Sequence, residues 1–593
     1  MSDPVTARPA ICLNMIVRNE AHIVEETFDT VAPYISSWVI VDTGSDDGTQ
    51  DLIRDYMTRM GIPGQLFERP WRNFGYNRTE ALALAQGSGD YIWVMDADDI
   101  VVGTPDFTRL SDDIYFVRYG GSDDVYWRPQ VFRDGLRVRY NGVVHEFATW
   151  DEQSYTDMRL EGDYHIESRR LGARNLDPQK YARDRDLLLA EVERHPDDAR
   201  SVFYLAQSYF DLGDFVNARS WYARRVELGG WDEEVYYAMW KFAKSLAQLD
   251  EPWPDIQDAY LKAWEFRPSR AEPLHAIARH YREEQRYQLG YQFAQLAAEI
   301  PLPEEETLFT RADIHAWRAT DEQAVCGSWT DRHVEAFALC RRLLTRPDIP
   351  DEDRQRITGN RDVCAATMIE AASKYPEPEA QRLVVGPRDG DVTVSLVAGP
   401  DRETTEQALN SFLRCCLDVE RVGRVLITAA GLPAKDRATL LDRYRFLEFI
   451  GATPGETPGA QLAQIRGEIH ERYWLHLGQG WRLFAPENLL TRLTAVLDAE
   501  PHVLQVGINF TDAVKLTGTT AAEDTVRRAL NAGRYVMTDA IASGPAMFDT
   551  TRLDRAGGLQ GTDPDPIAEL ERRAAAAGLR TATLDEVLCI AAI

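Results

Sequence analysis

One segment, from Tyr91 to Ile100, constrains the fold more than any other part of the chain. Its sequence, Tyr-Ile-Trp-Val-Met-Asp-Ala-Asp-Asp-Ile, is an apolar run of the length of a buried strand that ends in three carboxylates. If the strand geometry continues, Asp96 and Asp98 share a face and can bind one divalent cation. An acidic turn after a strand is the alternative interpretation, and it carries no function. The neighbouring segments decide between the two.

Strands and helices are predicted to alternate in the residues before this segment. Apolar runs predict strands at Ile11–Val17 and 38–41, and helical periodicity predicts helices at 20–31 and about 50–60. A further helix is predicted to open at Arg78 and to cover Thr79–Ala85. This order predicts parallel strands joined by right-handed crossovers. Ligands of such sheets bind outside the carboxyl ends of the strands, so Asp42 and Asp96 are expected on the same rim.

Four motifs in this order resemble a family-two glycosyltransferase with the GT-A fold, over about the first 170 residues. The motifs are Cys12-Leu-Asn-Met-Ile-Val-Arg-Asn-Glu-Ala21, Trp38-Val-Ile-Val-Asp-Thr-Gly-Ser-Asp-Asp-Gly-Thr49, Asn77-Arg78, and Gly89-Asp90-Tyr91 leading into Met95-Asp-Ala-Asp-Asp99. The resemblance implies a nucleotide-sugar donor, a DXD motif at Asp96 and Asp98, and a divalent metal, Mn²⁺ or Mg²⁺.

Residue roles follow from the resemblance position by position. The nucleotide-sugar is expected to contact Asn14, Arg18, Glu20, Asp42, Arg78 and Asp96, and the metal is expected to bind Asp96, Asp98 and His145. Each assignment has a structural alternative: Asp42 can cap its loop, Arg18 and Glu20 can form a surface ion pair, Arg78 can hold the acids, and His145 can be a core residue.

This sequence departs from the family at the catalytic base. This family generally inverts, and an inverting transfer requires a base opposite the leaving group. The base usually lies in a Glu-Asp pair after the hairpin predicted at 113–132, and this sequence lacks that pair in its usual form. The candidates are Glu146, from the Val-His-Glu motif at 144–146, and then Asp124 and Asp123.

Charge and length exclude several classes of protein. The chain has 593 residues, too many for one core, and a net charge of -29 disfavours binding to nucleic acid or anionic lipid. No apolar run approaches the roughly 18–20 residues of a spanning helix, and residues 1–10 lack the apolar core of a signal peptide. A cytoplasmic protein with reduced cysteines is therefore expected, since its seven cysteines include no Cys-x-x-Cys pair.

Amphipathic helices replace strands from about 174 to 376. Segments beginning near Ala199, Glu233 and Ala271 resemble tetratricopeptide repeats, whose period is about 34 residues. Stacked helix pairs bury a shared core and leave a concave face. That face suits a peptide or protein, but the stack can equally brace other domains or form a homo-oligomer.

The last third of the chain repeats the predicted order of the first. Tyr473-Trp-Leu-His-Leu477 takes the place of Tyr91-Ile-Trp-Val-Met95, and Gly478-Gln-Gly480 stands where the DXD motif would be. Thr428-Ala-Ala-Gly431 likewise lacks a counterpart of Asp42. A degenerate GT-A-like domain that cannot hold the metal is expected here.

These patterns predict an α/β plus all-α chain of three domains. The domains are a catalytic GT-A domain at 1–172, a tetratricopeptide-like helical domain at 173–385 and a degenerate GT-A-like domain at 386–593. The expected activity is metal-dependent, inverting transfer of a sugar, of the hexosyltransferase type, to a peptide, protein or glycan acceptor. The alternatives are a non-catalytic scaffold built on the repeats and a sugar nucleotidyltransferase, which would release pyrophosphate.

Overall fold

The structure is a computed structural model that describes residues 8–120, 126–150, 155–303, 305, 308–385, 390–429, 431–451, 457–559 and 566–591. The chain divides into two compact units. The first comprises Met1–Pro273 and Pro303–Thr310, and the second comprises Leu274–Leu302 and Arg311–Ile593. The division falls within the helical region, and the boundaries predicted at 172/173 and 385/386 stay predictions.

The first unit begins with a mixed sheet. Its strands are β1 Ile11–Val17, β2 Ser37–Asp42, β3 Gly64–Glu68, β4 Tyr91–Val94, β5 Asp99–Pro105, β6 Ile114–Tyr119, β7 Tyr126–Arg133, β8 Val138–Asn141, β9 Phe147–Trp150, β10 Asp157–Arg159 and β11 Gly162–Ser168. The helices among them are α1 Val24–Val31, α2 Thr49–Met60 and α3 Phe74–Ala85. The hairpin of β8 and β9 is separate from the main sheet.

The strand order of the main sheet is β3-β2-β1-β4-β7-β6-β11-β5, and β10 pairs with β6. The strands β3, β2, β1 and β4 are parallel, whereas β7 runs antiparallel to β4. Val17 lies opposite Asp42, and Asn14 lies opposite Val94. The carboxyl ends of β2 and β4 therefore reach the same rim, and the predicted Rossmann-like arrangement is confirmed.

The apolar composition of β4 follows from burial on both faces. Trp93 packs in a cluster with Phe28 of α1 and Tyr56 of α2, while Ile92 and Val94 pack in another cluster with Leu82 of α3 and other residues. A strand covered on both faces reads as a continuous apolar run rather than an alternating one. The first polar positions after β4 are therefore the first that leave the core.

Two helices begin at residues other than those that the sequence predicts. Helix α1 begins at Val24 rather than at residue 20. Helix α3 begins at Phe74, whereas the sequence predicted a helix opening at Arg78, because Asn73 caps the helix by accepting a hydrogen bond from the Tyr76 N–H at 2.8 Å. Arg78 therefore projects from within the helix.

Helix pairs follow the sheet. In the first unit they are formed from α4 Ala173–Leu176, α5 Lys180–Arg194, α6 Ala199–Asp211, α7 Phe215–Leu228, α8 Asp232–Gln248 and α9 Trp253–Phe266. In the second unit the helices are α10 Glu272–Glu283, α11 Tyr287–Ala298, α12 Ala319–Ser328, α13 His333–Leu344, α14 Asp351–Val363, α15 Ala365–Ala372 and α16 Glu377–Val385. Helix α10 begins just before the division, and a π-helical turn at Ile314–Arg318 precedes α12. The predicted repeats correspond to α6–α7, α8–α9 and α10–α11, which confirms the helical-repeat prediction. In the described residues, no helix is both long and apolar enough to cross a membrane.

A second sheet domain ends the second unit. Its strands are β12 Val392–Val397, β13 Val422–Thr428, β14 Leu447–Ile450, β15 Tyr473–Gln479, β16 Trp481–Leu483, β17 Val503–Gly507, β18 Arg527–Ala529, β19 Gly533–Thr538, β20 Ala546–Asp549, β21 Arg580–Leu584 and β22 Cys589–Ala591. Its helices are α17 Arg402–Cys415, α18 Ala434–Arg443, α19 Pro458–Gly467, α20 Leu489–Ala499, α21 Thr550–Arg555 and α22 Pro566–Ala576.

The two sheets share the arrangement of their first strands. The second has the order β14-β13-β12-β15-β20-β17-β21-β19-β18, with β20 antiparallel to β15 as β7 is to β4. Tyr473 lies opposite Val392 as Tyr91 lies opposite Ile11. The predicted repetition of strand order is therefore present from β12 to β15, whereas the far edge differs, because β5 follows β4 directly in the chain and β19 follows β17.

Gly75 sets the distance between α3 and the hairpin of β8 and β9. A Cβ at this position would lie 2.5 Å from the Gly142 carbonyl oxygen and 2.8 Å from the Tyr140 carbonyl oxygen. The Gly75 N–H also donates to the Gly142 carbonyl at 3.2 Å. Helix and hairpin are thus in backbone contact, which only glycine allows.

We expect Gly75→Ala to lower the free energy of unfolding by about 1–3 kcal/mol, because neither carbonyl can withdraw without breaking backbone hydrogen bonds. Gly359→Ala in α14 is the matched control, since a Cβ there meets nothing within 4 Å. That helical substitution should instead stabilise by up to about 1 kcal/mol. Urea unfolding followed by circular dichroism measures both, and equal effects of the two substitutions would contradict the prediction.

Candidate functional site

Asp42 ends β2 with a half-satisfied carboxylate. Its Oδ1 accepts hydrogen bonds from the N–H groups of Gly44 and Ser45 at 2.9 and 3.0 Å and from Gln50 Nε2 at 3.1 Å. Its Oδ2 is buried and has no partner among the described residues. Asp42 therefore caps its loop with one oxygen, while the other can still accept a hydrogen bond.

Arg78 joins two acids at this rim. Its Nε donates to Glu146 Oε1 at 2.6 Å, and one terminal nitrogen donates to Asp96 Oδ1. The Arg78 and Glu146 side chains are each only 9% exposed, whereas that of Asp96 is 32% exposed. Burial opposes ionisation of Asp96, but the Arg78 and Arg128 guanidinium groups outweigh it and hold the pKa of Asp96 below its usual value. The acid at the strand tip is therefore a carboxylate with one accessible edge.

Two further arginines act on Asp96, and the sequence motifs did not indicate either. Arg128 lies in β7 with its guanidinium carbon 5.0 Å from the centroid of the Tyr119 ring. Arg174 follows the sheet, pairs with Asp184 at 2.6 Å and lies 4.2 Å from the centroid of the Phe74 ring. Both lower the pKa of Asp96. Three guanidinium groups therefore act on Asp96, although the chain as a whole is strongly acidic.

Asp98 is held by a different partner set from Asp96. Its Oδ2 accepts the Gly172 N–H at 2.9 Å, and Glu20 Oε2 accepts the next N–H, that of Ala173, at 3.2 Å. Burial, together with the nearby Asp98 carboxylate, raises the pKa of Glu20 to about 7 despite the hydrogen bond from Ala173. The structure thus brings Glu20 and Asp98 together at the segment that follows β11.

Asp99, which starts β5, is a third acid of this segment and lies in the core. Tyr119 donates a hydrogen bond from its hydroxyl to Asp99 Oδ2 at 3.0 Å, while Oδ1 is buried without a partner among the described residues. Burial and the neighbouring Asp96 carboxylate raise the pKa of Asp99 to about 7. Asp99 anchors Tyr119, over which Arg128 lies.

His145 packs against the first tetratricopeptide-like helix. Its ring stacks on Tyr204 of α6 with centroids 4.0 Å apart, and its carbonyl oxygen accepts a hydrogen bond from Arg200 at 3.3 Å. It adopts φ of 54°, a left-handed conformation that this packing maintains. In the described ranges, no three histidine, cysteine, aspartate or glutamate side chains converge on a point that could hold a metal. Asp96, Asp98 and His145 therefore do not form a preformed cage.

The remaining residues that the sequence analysis assigned to the site differ in burial. Asn14 is buried, and its amide donates to the carbonyl oxygens of Val39 and Ala81 at 2.9 and 3.0 Å, which ties β1 to β2 and α3. Arg18 is exposed at the end of β1. Asp123 and Asp124 lie outside the described residues. The ligand contacts of all these residues stay predictions.

The donor chemistry of the rim suits a hard cation that keeps much of its own hydration. Carboxylate oxygens are the protein ligands that Mg²⁺ and Mn²⁺ prefer, and Mg²⁺ commonly takes only one or two of them beside water and phosphate oxygens. The accessible edge of Asp96 offers such a ligand next to a cationic surface for phosphate. These residues fit a metal that arrives with a diphosphate better than a metal held by protein alone.

The second sheet has none of these groups at the corresponding positions. Its register places Ala429 at the position of Asp42, and Gly478 and Gln479 at that of Asp96, because β15 shifts its register against β12 between Ser395 and Val397. A Cβ built on Gly478 would lie 3.2 Å from the Trp481 ring, a close contact. Residues without a carboxylate therefore stand where the first sheet has Asp42 and Asp96.

One family model and one relative among known proteins match parts of this chain. Residues 12–115 match the sequence model of the family described as Glycosyl transferase family 2. A TPR repeat-containing protein of Synechococcus elongatus is 24% identical over 303 residues, which are 46% of this chain and 68% of that protein. The chain therefore carries a family-two glycosyltransferase domain at its N-terminal end together with tetratricopeptide-like repeats.

Two solved structures show more limited similarity. The mannosyltransferase PcManGT from Pyrobaculum calidifontis, solved in complex with GDP-Man and Mn²⁺, is 14% identical over 40% of this chain and 68% of that chain, with a TM-score of 0.28. YrrB, described as a TPR protein with an unusual peptide-binding site, is 14% identical over 30% of this chain and 82% of that chain, with a TM-score of 0.24.

The raised pKa of Glu20 predicts a pH-dependent stability. The folded protein keeps Glu20 protonated up to about pH 7, whereas the unfolded chain ionises near the ordinary glutamate pKa of 4.5, so stability falls as the pH rises through this window. Glu20→Gln removes this titration and should stabilise by about 1–2 kcal/mol at pH 8, with little effect at pH 4.

Urea unfolding of the native protein and Glu20→Gln at pH 4, 6 and 8 measures this difference. Glu167→Gln changes an exposed carboxylate of β11 and serves as the control. A difference between native protein and Glu20→Gln that does not grow with pH would show that Glu20 is ionised in the folded state.

Proposed function

We propose that the first sheet domain is a metal-dependent, inverting glycosyltransferase that moves a sugar, of the hexosyl class, from a nucleoside diphosphate to an acceptor. The observation that carries this proposal is the pairing of Arg78 with Asp96 and Glu146 on the rim that also bears Asp42. The rim combines an acceptor oxygen for a base or ribose, a cationic surface for phosphate and an accessible carboxylate. A family-two domain implies a nucleotide-sugar donor, and this arrangement suits one.

The nucleoside end of the donor is assigned to the end of β2. Asp42 Oδ2 is buried and lacks a partner among the described residues, so a base N–H or a ribose hydroxyl would satisfy it. An unsatisfied buried carboxylate oxygen is costly, and this cost favours a ligand at that point. The same end of the donor is assigned to Arg18, Glu20 and Asn14. Asn14 would act indirectly, by holding β1 in position.

Leaving-group stabilisation is assigned to Asp96, Asp98 and Arg78. A divalent cation, Mn²⁺ or Mg²⁺, would supply Lewis-acid neutralisation of the charge that develops on the departing diphosphate. Asp96 would hold the cation through its accessible edge. Asp98 would hold the same segment in place through the hydrogen bond that it accepts from the Gly172 N–H. Arg78 would donate to phosphate oxygens, since a guanidinium binds them bidentately.

The base that receives the acceptor proton is assigned to Glu146 ahead of Asp123 and Asp124. Glu146 lies within hydrogen-bond distance of Arg78 and one residue from His145, which stacks on helix α6. This position adjoins both the donor rim and the helical repeats. A hydroxyl or thiol acceptor bound at this junction would release its proton to Glu146.

The helical region is assigned to the acceptor, which we propose to be a peptide or protein side chain, or a glycan. Arg200 of α6 lies over the rings of both Phe147 and Tyr204, at 4.8 and 5.1 Å. The first repeat is thereby packed onto the segment that carries Glu146. The C-terminal sheet, which lacks counterparts of Asp42 and Asp96, is assigned a non-catalytic role.

We expect Asp96→Asn to reduce metal-dependent sugar transfer at least about 100-fold, because an amide cannot act as the anionic ligand of the cation. Gln479→Ala, at the matching tip of β15, should leave transfer unchanged. Activity is measured as release of nucleoside diphosphate. Native turnover by Asp96→Asn, or loss of turnover by a folded Gln479→Ala, would contradict the assignment of the site.

Binding of the donor class is tested separately by thermal unfolding with UDP, GDP, CDP and dTDP, each with and without Mn²⁺. One nucleotide at about 100 times its dissociation constant should add roughly 2.7 kcal/mol to the native protein. The metal-dependent part of this gain should be absent in Asp96→Asn. If no nucleotide stabilises the native protein, the scaffold alternative replaces the enzymatic one, and pyrophosphate as the released product would identify a nucleotidyltransferase.

A further inference from the structure

Arg128 is a cation at the rim that none of the residue assignments above uses. It lies near the start of β7, which runs antiparallel to β4 with Trp93 opposite Val131. Three residues beyond this pair on the two strands are Asp96 and Arg128. Strand pairing thus brings an arginine from the hairpin to the tip of the strand that carries the DXD motif.

A bulge in β7 directs the Arg128 side chain. The partner of β7 changes from Tyr115 opposite Val131 to Phe116 opposite Pro129, so the chain of β7 gains one residue there. A bulge changes the face to which the following side chains point. Beyond it, Arg128 lies opposite Val117 and over the ring of Tyr119, whose hydroxyl is fixed by Asp99.

The surroundings of Arg128 differ from those of Arg78 in one respect. Arg78 donates to two carboxylates, Asp96 and Glu146. Arg128 is half-buried, and in the part of the chain that the structure describes it forms no ion pair or hydrogen bond with a carboxylate. Burial lowers the pKa of Arg128, but the charges of Tyr119, Asp96 and Asp99 outweigh burial and the opposing charge of Arg78, so that the pKa is raised. Arg78 and Arg128 both act on Asp96, and two guanidinium groups beside one point favour an anion there.

We infer that Arg128 binds the diphosphate of the nucleotide-sugar, and that it and Arg78 contact the phosphate oxygens from two sides of Asp96. This inference rests on the proposed function and adds a binding residue to it. A guanidinium that already lies over an aromatic ring loses little side-chain entropy on binding phosphate, and its planar fork matches two phosphate oxygens. A half-buried position also strengthens the contact relative to one in open water.

The second sheet supports the pairing of Asp96 with Arg128. In that sheet Leu475 lies opposite Met547, as Trp93 lies opposite Val131 in the first. Three residues further along the two chains are Gly478 and Gly544. A Cβ on either glycine would approach the Trp481 ring within 3.2 Å, which places both glycines beside one indole. Neither an acid nor an arginine therefore stands at these two positions of the second sheet.

The test compares Arg128→Gln and Arg128→Lys with the native protein by isothermal titration calorimetry. The probes are inorganic pyrophosphate, the four nucleoside diphosphates named above and the corresponding nucleosides, each with Mn²⁺ and with EDTA. Arg159→Gln is the matched control, because Arg159 also lies over an aromatic ring, 4.8 Å from the centroid of Trp127. Circular dichroism establishes that each variant is folded.

Arg128→Gln should weaken the binding of pyrophosphate and of the preferred nucleoside diphosphate about 10- to 100-fold, the range of a hydrogen bond to a charged group. Nucleoside affinity should not change, and Arg159→Gln should match the native protein. Arg128→Lys should fall between the two, since an ammonium keeps the charge but not the fork. If Arg128→Gln does not fold, the Lys variant alone carries the same comparison.

Three outcomes would overturn the inference. Native affinity of Arg128→Gln, or of Arg128→Lys where only that variant folds, for both phosphate probes would exclude contact with the diphosphate. An equal loss of nucleoside and diphosphate affinity would assign Arg128 to the fold of the site. A native protein that binds neither nucleoside diphosphate nor pyrophosphate would overturn the proposed function as well, whereas nucleotide binding that is indifferent to Arg128 would overturn this inference alone.

Discussion

The double ion pair of Arg78 is the interaction on which the candidate site depends. One guanidinium, 9% exposed, holds Asp96 at the tip of β4 and Glu146 at the end of the hairpin of β8 and β9. Removing one partner of a buried charge pair leaves the other uncompensated, which usually costs about 3–5 kcal/mol. The position of both acids is therefore tied to the position of α3. A ligand that carries its own charges must compete with this internal neutralisation.

The placement of α3 is in turn a matter of backbone contact. Gly75 lets the first turn of the helix touch the carbonyl groups of Tyr140 and Gly142, and Asn73 caps the helix just before it. Asn14, buried in β1, donates from its amide to Ala81 within the helix. The predicted ligand contacts at Asn14 and Arg78 are thus connected through the helix that both of them touch. Stability and function share the same residues at this rim.

The chain contains two sheets whose first strands have the same order and whose equivalent rims differ in chemistry. The first bears Asp42 and Asp96, and the second bears Ala429, and Gly478 with Gln479, at the corresponding positions. The topology of a sheet is determined by its buried apolar faces, which both sheets retain. The rim residues contribute little to that core, so they can change without loss of the fold.

The sequence by itself determined β1, β2 and β4, three helix pairs and the acids at the tip of β4, because periodicity and apolar runs report local burial directly. It also placed Asp42 and Asp96 on one rim, since parallel strands end on the same side of a sheet. It did not determine the start of α3, the pairing of Arg78 with Glu146, the contact of Asp98 with Gly172, or the position of Arg128. These depend on a helix cap, on a close approach through Gly75 and on a bulge in β7, which join residues far apart in the chain. Only the tertiary structure decides such contacts, because strand register and packing distance, rather than local pattern, select the partner of each charged side chain.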